Sequence, residues 1–413
     1  MLNEKGQREL AYVVVIDKIE PIEGSDNCEA AYVGGWHIMV RKGTFQAGDL
    51  AIYFEIDSHL DTTKPEFAFL EKKHGNIKTQ RYTFGGKGNF ISQGLLMHPS
   101  DFGWTPTEIL KVVGDDEMTK CIDTGKELHF ANDESRFLTQ TLNVSYIEES
   151  DNMRKSEYRP KSKYTGKTPT TKLGKWLMKR KWGRVLVNIF GKKRKKDGWP
   201  VWIKKTDEER IQNCPWVLNS PDREWIATEK IDGSSTTFAL KKKRFYVCSR
   251  NVCFDTSNAK CYYDVNIYTE MAQKYDMRTK LKKMLDGARL VNKNTVGVIV
   301  QAETYGAGVQ RRDYGLKGHD MAIFNIIWVY KDGSQRRLNP TQGKDCAAVY
   351  DLPYVPVIGQ MKLGTSCEEV LEYAGRYPSR IDGGMREGLV FRSLDGVQSF
   401  KAVNNEYLLK YHG

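Results

Sequence analysis

The chain has 413 residues, of which 40% are hydrophobic and 28% are charged, and these values are typical of folded globular domains rather than of disordered segments. No apolar run approaches the roughly 18 residues that a membrane-spanning helix needs, and the first ten residues, MLNEKGQREL, lack the apolar core of a secretory signal. The formal net charge of +12 is concentrated: residues 151–200 carry 17 Lys and Arg against three acids, and the remaining chain is close to neutral at −2.

The eight cysteines and seven histidines are dispersed and show no Cys-x-x-Cys or Cys/His spacing of a zinc site. This pattern indicates reduced cysteines in an intracellular protein without a structural zinc. We expect a cytoplasmic location, and the basic run KKRKK at 192–196 leaves a nuclear one open. Nothing in the sequence demands more than a monomer.

The N-terminal part reads as short strands in the runs LAYVVVIDKIEPI, AAYVGGWHIMVRKG, GDLAIYFEIDSHL and ISQGLLM. Each run is rich in β-branched or aromatic residues, and glycine-containing turns separate several of them. Several short strands in fewer than about 130 residues predict a small β-barrel or sandwich. The segment TEILKVVG at 107–114 predicts a helix that closes this module.

The segment 151–198 has a different character. Its first part is polar, basic and interrupted by prolines, which predicts a loop or linker. The following stretch, LGKWLMKRKWGRVLVNIFGKKRKK, places apolar residues at helical spacing among basic ones. An arm against RNA backbone, a membrane-surface helix, a face packed between domains and a solvated insertion all fit this composition.

From residue 199 onward the sequence predicts a mixed α/β domain. EWIATEK predicts a strand, and STTFALKKKRFYVCSR is expected to form a hairpin with it. YYDVNIYTEMAQKYDMRTKLKKML predicts a helix, whereas TVGVIVQAETYG, HDMAIFNIIWVYKDG, EGLVFRS and QSFKAV predict strands.

The motif TEKIDGSSTTF at 228–238 places Lys230 at the end of a predicted strand, before Asp-Gly. A lysine is a useful nucleophile only when its surroundings lower its pKa, and a strand end beside glycine suits a ligand that approaches the backbone. The motif alone is weak, but charged or aromatic residues follow in or beside apolar strands: Arg250 in SRN, Glu303 in QAETYG, Phe324 in MAIFNI, Glu387 in REGLVFR and Lys401 in SFKAV. Such a set suits a nucleoside polyphosphate, because cations offset phosphate charge, an aromatic ring stacks a purine and carboxylates hold a ribose or a metal.

This order resembles the covalent nucleotidyltransferase superfamily of polynucleotide ligases and RNA-capping guanylyltransferases, over about 199–413. In that superfamily the Lys-x-Asp-Gly lysine carries the nucleotide as a lysyl–NMP. DNA ligases and capping enzymes usually have arginine five residues after the lysine, where this chain has Ser235. Together with Glu229 before the lysine, this difference resembles RNA ligases. The last motif often has a second lysine two places after Lys401, but here that residue is Val403.

The N-terminal half strengthens the resemblance. IEPIEGSDNCEAAYVGGWHIMVRKGTFQAGDLAIYFEIDSHL, SQGLL and KKTDEERIQNCPWVL are similar to RNA ligases that carry an OB module ahead of the nucleotidyltransferase domain. The implied fold class is α+β: an OB-like β-barrel at 1–145, a basic insertion at 146–198, and a ligase-type nucleotidyltransferase domain of antiparallel sheets with flanking helices at 199–413. The basic insertion is not part of that family pattern.

The resemblance implies an ATP-dependent RNA ligase that seals 3′-hydroxyl and 5′-phosphate RNA ends and uses Mg²⁺ or Mn²⁺. Lys230 would attack the α-phosphate of ATP, and Lys401 would contact that phosphate. Arg210 and Arg250 would face the phosphates or the RNA end. A capping-type guanylyltransferase and a catalytically silent RNA-binding protein are the alternatives.

The remaining roles are also implied by the resemblance. Glu303 would bind the ribose, Glu387 would hold the metal with Glu303 as a second candidate, and Phe324 would stack on adenine, although an aromatic in an apolar strand is more often core. Candidates for the nucleotide pocket are Glu229, Ile231 and Ser235, and those for RNA are Arg41, Lys42 and Arg250, with Trp36 as either an RNA contact or core. Without the resemblance, Arg210 would be taken as a charge on a helix surface.

Overall fold

The computed structural model describes residues 8–84, 89–105, 136–146, 199–204, 207–254 and 266–412. The helix predicted at 107–114 and the segment 147–198 of the predicted insertion lie outside these residues. The chain divides into two compact units: unit 1 comprises Met1–Arg154, Thr206–Ile231 and Val355–Gly413, and unit 2 comprises Lys155–Lys205 and Asp232–Tyr354. The domain boundaries expected from the sequence stay a prediction.

The N-terminal part of unit 1 consists of short strands. They are β1 (Ala11–Val15), β2 (Lys18–Pro21), β3 (Cys28–Val33), β4 (Trp36–Arg41), β5 (Leu50–Phe54), β6 (Ser58–His59), β7 (Gln80–Thr83), β8 (Asn89–Ser92), β9 (Leu95–Met97) and β10 (Ser145–Tyr146), with 3₁₀ turns at Pro65–Lys73 and Pro99–Phe102. They pair antiparallel in the orders β1-β5-β9, β2-β3-β4, β7-β8 and β10-β6. Their apolar side chains form two core clusters, one containing Phe54 and Phe67 and the other Trp36 and Tyr53.

The β3–β4 hairpin shows why this sequence needs two adjacent glycines. Val33 pairs with Trp36 across a two-residue turn, and Gly34 has φ of +56°, a conformation that favours glycine. A Cβ on Gly35 would lie 2.7 Å from the Cα of Gln212, and the amide of Gly35 donates to the carbonyl of Gln212 at 2.9 Å. The glycines therefore let the hairpin rest directly on the backbone that follows Arg210.

The C-terminal half supplies the other elements. Its strands are β11 (Glu209–Arg210), β12 (Glu224–Lys230), β13 (Ser234–Lys241), β14 (Arg244–Cys248), β15 (Cys253–Phe254), β16 (Thr295–Gly306), β17 (His319–Tyr330), β18 (Gln335–Arg337), β19 (Val357–Lys362), β20 (Gly388–Ser393) and β21 (Ser399–Val403). Its helices are α1 (Ile267–Lys274), α2 (Met277–Val291), α3 (Pro340–Val349), α4 (Cys367–Arg376) and the short α5 (Asn405–Tyr407), which continues as a π-helical turn over Leu408–His412; 3₁₀ turns occur at Ile211–Asn213 and Pro215–Asn219.

Unit 1 contains a five-stranded sheet with the order β11-β21-β20-β12-β19. Helix α4 packs on β20 and β21, and its buried Val370 and Ala374 join a core with Trp225 and Phe400. The ring of Phe400 stacks on Phe391 at 5.0 Å and meets Trp225 edge-on at 4.9 Å. This aromatic core fixes the strands whose ends carry the candidate nucleophile.

Unit 2 contains a six-stranded sheet with the order β15-β14-β13-β16-β17-β18, all pairs antiparallel. Helix α2 covers it and buries Met277, Leu281, Met284 and Leu285, the i, i+4, i+7, i+8 spacing of one helix face. The stretch predicted to be helical contains two helices, α1 and α2, because the chain turns at Asp276 with φ of +44°.

The hairpin predicted between EWIATEK and STTFALKKKRFYVCSR is wrong. Strand β12 pairs with β19 and β20 in unit 1, whereas β13 pairs with β14 and β16 in unit 2. The chain leaves one sheet after Lys230 and enters the other at Ser234. Gly233 permits this crossing, since a Cβ there would lie 2.4 Å from the carbonyl oxygen of Thr304.

Candidate active site

Lys230 ends strand β12, where the strand emerges from the core. Trp225 to Glu229 are buried, whereas the Lys230 side chain keeps 26% of its exposure. Its Nζ lies 2.6 Å from Oε1 of Glu387, whose side chain is 8% exposed. The lysine is therefore held by a nearly buried carboxylate at a position that a ligand can reach.

Glu387 stands directly before β20, and Gly388 pairs with Lys230 across the sheet. A Cβ on Gly388 would lie 2.2 Å from the carbonyl oxygen of Ala402, which is closer than any side chain tolerates. The glycine of the REGLVFR motif thus lets β20 and β21 approach each other and places Glu387 beside the end of β12.

Lys401 and Arg210 occupy the same face of this sheet as Lys230. Across neighbouring strands, Arg210 lies opposite Lys401, and Lys401 lies opposite Val390. Val390 in turn lies opposite Thr228 of β12, so all four residues share one face of the sheet. Since side chains two residues apart along a strand share a face, Lys230 lies on that face as well. Strand spacing and rise place the Cα atoms of Lys401 and Lys230 about 12 Å apart, a gap that two long side chains can largely bridge.

The Lys401 ammonium is held by Asp207, with Nζ 2.8 Å from Oδ1. Burial lowers the pKa of Lys401; Asp207 opposes this shift, whereas Arg8 and Arg210 add to it. A cation that is poorly hydrated and close to other cations gains when a phosphate arrives. Lys401 therefore has the electrostatic setting of a phosphate ligand.

Arg210 is almost fully buried, which corrects the alternative of a charge on a helix surface. Its Nη2 lies 3.5 Å from Oδ2 of Asp57, and its guanidinium lies 5.9 Å from the ring centroid of Trp36. Among the residues that the structure describes, Nε and Nη1 of Arg210 have no hydrogen-bond partner. A guanidinium with two unused donors suits an oxyanion.

Unit 2 carries Ser235, Glu303 and Phe324 on neighbouring strands. Glu303 pairs with Ser235 on one side and with Ala322 on the other, and its side chain is half-buried within an otherwise buried stretch of β16. Phe324 lies at a β-bulge: Gln301 pairs with Asn325 and Ala302 with Ile323, so Phe324 is the extra residue.

The bulge explains why Phe324 differs from an ordinary core aromatic. Its side chain is half-exposed between the buried Ile323 and Asn325, and its carbonyl accepts a hydrogen bond from the hydroxyl of Tyr354 at 3.1 Å. Bulges turn a side chain away from the direction that strand alternation would give it. Phe324 is thus only half-buried, and its backbone carbonyl is held by Tyr354.

Arg250 lies at the tip of the β14–β15 hairpin. The hydroxyl of Ser249 accepts from the amides of Asn251 and Val252, and the amide of Ser249 donates to the carbonyl of Val252 at 2.9 Å. The turn is therefore ordered by its own backbone, and Arg250 is exposed, as a residue that contacts RNA backbone would be.

Of the residues predicted to contact RNA in the N-terminal module, two are exposed and one is buried. Arg41 and Lys42 are exposed at the end of β4. Trp36 is 1% exposed, and its Nε1 donates to Oδ1 of Asn213 at 2.6 Å. Of the two roles that the sequence left open for Trp36, the structure shows core packing.

Two predicted nucleotide residues are buried. Ile231 is 4% exposed and follows β12. Glu229 faces away from Lys230, and its carboxylate bonds to the segment around Ser379 and Arg380. Their assignment to the nucleotide pocket stays a prediction.

Three polar neighbours of these candidates, Asn213, Asp207 and Asp57, were not predicted from the sequence. Asn213 accepts from Trp36 and Tyr12 and donates to Glu55 and Glu209, each time through its side chain. Asp207 and Asp57, which hold the cations described above, belong to no motif that spacing reveals. For Asp207, the run of acids in KTDEERIQN is the only sequence feature that points to a counter-ion.

The candidate residues alone do not provide a complete set of ligands for a divalent metal ion. Among the described residues, no group of three or more His, Cys, Asp or Glu is placed to hold a metal ion. Mg²⁺ is commonly bound by one or two carboxylates together with substrate phosphates and water, so Glu387 fits a metal that arrives with a nucleotide.

Within the part of the chain that the structure covers, no helix is long and apolar enough to span a bilayer.

Two protein-family models match parts of this chain. A model of the RNA ligase family matches residues 223–412, and a model of an OB-fold domain matches residues 10–98. The RNA ligase match runs from β12 to the C-terminal turn, and the OB-fold match covers β1 to β9. The comparison with curated proteins found no match.

Solved structures of Naegleria gruberi RNA ligase are similar over 98% of this chain. An apo variant has a TM-score of 0.68 at 24% identity and is covered to 99% of its length. A variant with ATP and Mn has 0.67 at 24% and is covered to 98%, and the enzyme with pyrophosphate has 0.66 at 25% and is covered to 99%.

The fold and the matches define an α+β protein in which an OB-fold domain precedes a sheet-rich domain with flanking helices that matches RNA ligase structures, as predicted. The RNA ligase family model thus covers the C-terminal part of the chain, from residue 223 to residue 412.

Proposed function

We propose that this protein is an ATP-dependent RNA ligase that joins 3′-hydroxyl and 5′-phosphate ends through a covalent lysyl–AMP. The observation that carries the proposal is the placement of Lys230, at an accessible strand end 2.6 Å from the carboxylate of Glu387, on the same sheet face as Lys401 and Arg210. A nucleophile and two buried cations on one face are what an attack on a phosphate needs.

In the first reaction the Lys230 ammonium loses a proton to water, the neutral amine attacks the α-phosphorus of ATP, and a second proton leaves the nitrogen for water. A P–N bond forms and the bond to the β-phosphate oxygen breaks, so that pyrophosphate leaves. Lys401 stabilises the charge on the α-phosphate, and Arg210 contacts phosphate oxygens through its unused donors. Because both cations already stand in the fold, they need little reorganisation as charge develops.

Two further transfers complete the proposed cycle. An oxygen of the RNA 5′-phosphate attacks the same phosphorus and releases Lys230, which gives an AMP-capped 5′ end. A 3′-hydroxyl then attacks the RNA phosphate, a phosphodiester forms and AMP leaves. A bound Mg²⁺ or Mn²⁺ would be held at Glu387 together with phosphate oxygens, and it would neutralise phosphate charge.

The other roles follow from each residue's surroundings. The half-exposed ring of Phe324 stacks on adenine, and Glu303 binds the ribose and is a second candidate metal ligand. Arg250 contacts the RNA end from its exposed turn. Arg41 and Lys42 of the OB module bind RNA backbone rather than reading sequence.

The test is incubation with α-labelled ATP and Mn²⁺ or Mg²⁺, followed by a denaturing gel, for the wild type, Lys230→Ala and Lys362→Ala. Lys362 is a matched control, since it lies on β19 beside β12 and pairs with exposed Asp222. We expect an acid-labile, base-stable label on the wild type and on Lys362→Ala but not on Lys230→Ala. Labelling by GTP instead of ATP would indicate a capping-type enzyme. No label combined with tight RNA binding would indicate a silent RNA-binding protein.

A further inference from the structure

The carboxylate of Glu229 is directed away from the face that carries Lys230. The two residues are adjacent on β12, and successive side chains of a strand point to opposite faces of the sheet. Glu229 is 2% exposed, and a carboxylate at that depth needs hydrogen-bond partners to remain charged. Its partners therefore show what it does.

Both oxygens of Glu229 bind one segment that is 150 residues distant in the chain. The hydroxyl of Ser379 donates to Oε1, and the amide of Arg380 donates to Oε2 at 2.8 Å. Ser379 in turn organises the local turn: its hydroxyl accepts from the amide of Ile381 at 3.1 Å, and its amide donates to the carbonyl of Gly384 at 2.7 Å. Glu229 thus fastens an ordered turn, 379–384, to the nucleophile strand.

This turn leads directly into Glu387. Between them lies Arg386, which is 2% exposed and donates through Nη2 to the carbonyl of Pro378 at 3.1 Å. Burial lowers the pKa of Arg386, and the charge of Glu229 opposes that shift. The carbonyls of Arg386 and Glu387 accept from the side-chain and backbone amides of Asn404 at 3.1 and 2.8 Å. The segment before Glu387 is therefore held at one end by Glu229 and at the other by Asn404.

We propose that Glu229 is a positioning residue of the ligase reaction. By holding the 379–384 turn against β12, it sets where the carboxylate of Glu387 stands relative to the amine of Lys230. The inference rests on the proposed function, and it gives Glu229 a role other than recognition of the adenine base. Lys230 then reacts on one face of the sheet, and Glu229 on the opposite face holds the 379–384 turn that leads to Glu387.

The experiment compares Glu229→Gln, Ser379→Ala and the double variant in single-turnover formation of enzyme–AMP. Ser379 lies in the anchored turn, and its substitution by alanine removes two hydrogen bonds: the one donated to Glu229 and the one accepted from the amide of Ile381. We expect Ser379→Ala to lower the rate at saturating ATP by about tenfold or more, the scale of one lost hydrogen bond to a charged group. The ATP concentration for half-maximal rate and the ratio of ATP to GTP labelling should stay unchanged. Because both substitutions break the same anchor, the double variant should be no slower than Glu229→Gln.

Ser366→Ala is the matched control. It also removes a serine hydroxyl that binds backbone, the amide of Glu369 at the start of α4, but it does not touch the 379–384 turn. Thermal unfolding of each variant shows whether it remains folded. A wild type without label would count against the proposed function itself.

Two results would overturn the inference while leaving the proposed function intact. The first is a labelled wild type with Ser379→Ala at the same rate. The second is Glu229→Gln with a raised ATP requirement or a lower ATP-to-GTP ratio while Ser379→Ala stays normal, because that pattern would assign Glu229 to the base.

Discussion

Replacing Asp207 by Asn removes the counter-charge of Lys401 while nearly preserving its shape. The Nζ and Oδ1 atoms are 2.8 Å apart. Coulomb's law gives about 6 kcal/mol for that distance at an effective dielectric constant of 20 and about 1.5 kcal/mol in bulk water. Because the two side chains are only 13% and 19% exposed, we expect a loss of about 2–3 kcal/mol in the free energy of unfolding at pH 7.

The loss should depend on pH in a defined direction. The folded-state pKa of Lys401 lies below its usual value, so the unfolded chain binds this proton more tightly than the folded one. Stability therefore rises as the pH increases from the folded-state pKa of Lys401 toward its unfolded value of roughly 10.4. Removing Asp207 lowers the folded-state pKa further, and a neutral Lys401 no longer needs the carboxylate. The difference between wild type and variant should shrink between pH 7 and pH 10.

Urea unfolding followed by circular dichroism, at pH 7 and at pH 10, measures both effects. Asp222→Asn is the control, because Asp222 pairs with Lys362 at a similar 3.0 Å but with 97% and 57% of the side chains exposed. We expect it to change the free energy of unfolding by less than about 0.5 kcal/mol. A loss for Asp207→Asn that is equal at the two pH values, or no larger than that of the control, would refute the charge argument.

Three further outcomes are expected. Phe324→Ala should raise the ATP concentration for half-maximal labelling about tenfold, the scale of one base–aromatic stack, and Phe324→Tyr should change it little; equal effects would remove Phe324 from the adenine site. Gly233→Ala places a Cβ 2.4 Å from the carbonyl oxygen of Thr304 and should cost about 1–3 kcal/mol in thermal unfolding, whereas Gly318→Ala, with nothing within 4 Å, should be milder. Deleting 151–198, which the charge pattern alone marks as an RNA-affinity arm, should weaken RNA binding and flatten its salt dependence without changing self-adenylylation; an unchanged salt slope would contradict that role.

Local patterns predicted the strands that carry the site but not their pairing. EWIATEK and TVGVIVQAETYG are strands, as expected, because apolar β-branched runs have few alternatives once they are buried. The partner of a strand depends on contacts between distant segments, and the expected hairpin after Lys230 was therefore wrong. ISQGLLM failed for a different reason: Gly94 has φ of +105° and divides the run into β8 and β9.

Phe324 shows what a strand pattern cannot reveal. Its neighbours in MAIFNI are apolar on both sides, so alternation gives no reason to expect a half-exposed ring. The β-bulge that changes the direction of the Phe324 side chain arises from a one-residue mismatch between β17 and β16. No local sequence pattern predicts this mismatch. The resemblance to ligases named Phe324 as a candidate, and the structure supplies the physical reason for its incomplete burial.

The motif residues of unit 1 are mostly cations, and the sequence motifs do not indicate which carboxylates pair with them. Lys230 is held by Glu387, Lys401 by Asp207 and Arg210 by Asp57; these partners are 157, 194 and 153 positions away in the chain. Cations gathered on one sheet face without such carboxylates would repel one another and lose hydration together. The carboxylates offset these charges and orient the three side chains, so the arrangement depends on acids outside the lysine and arginine motifs as much as on the motifs themselves.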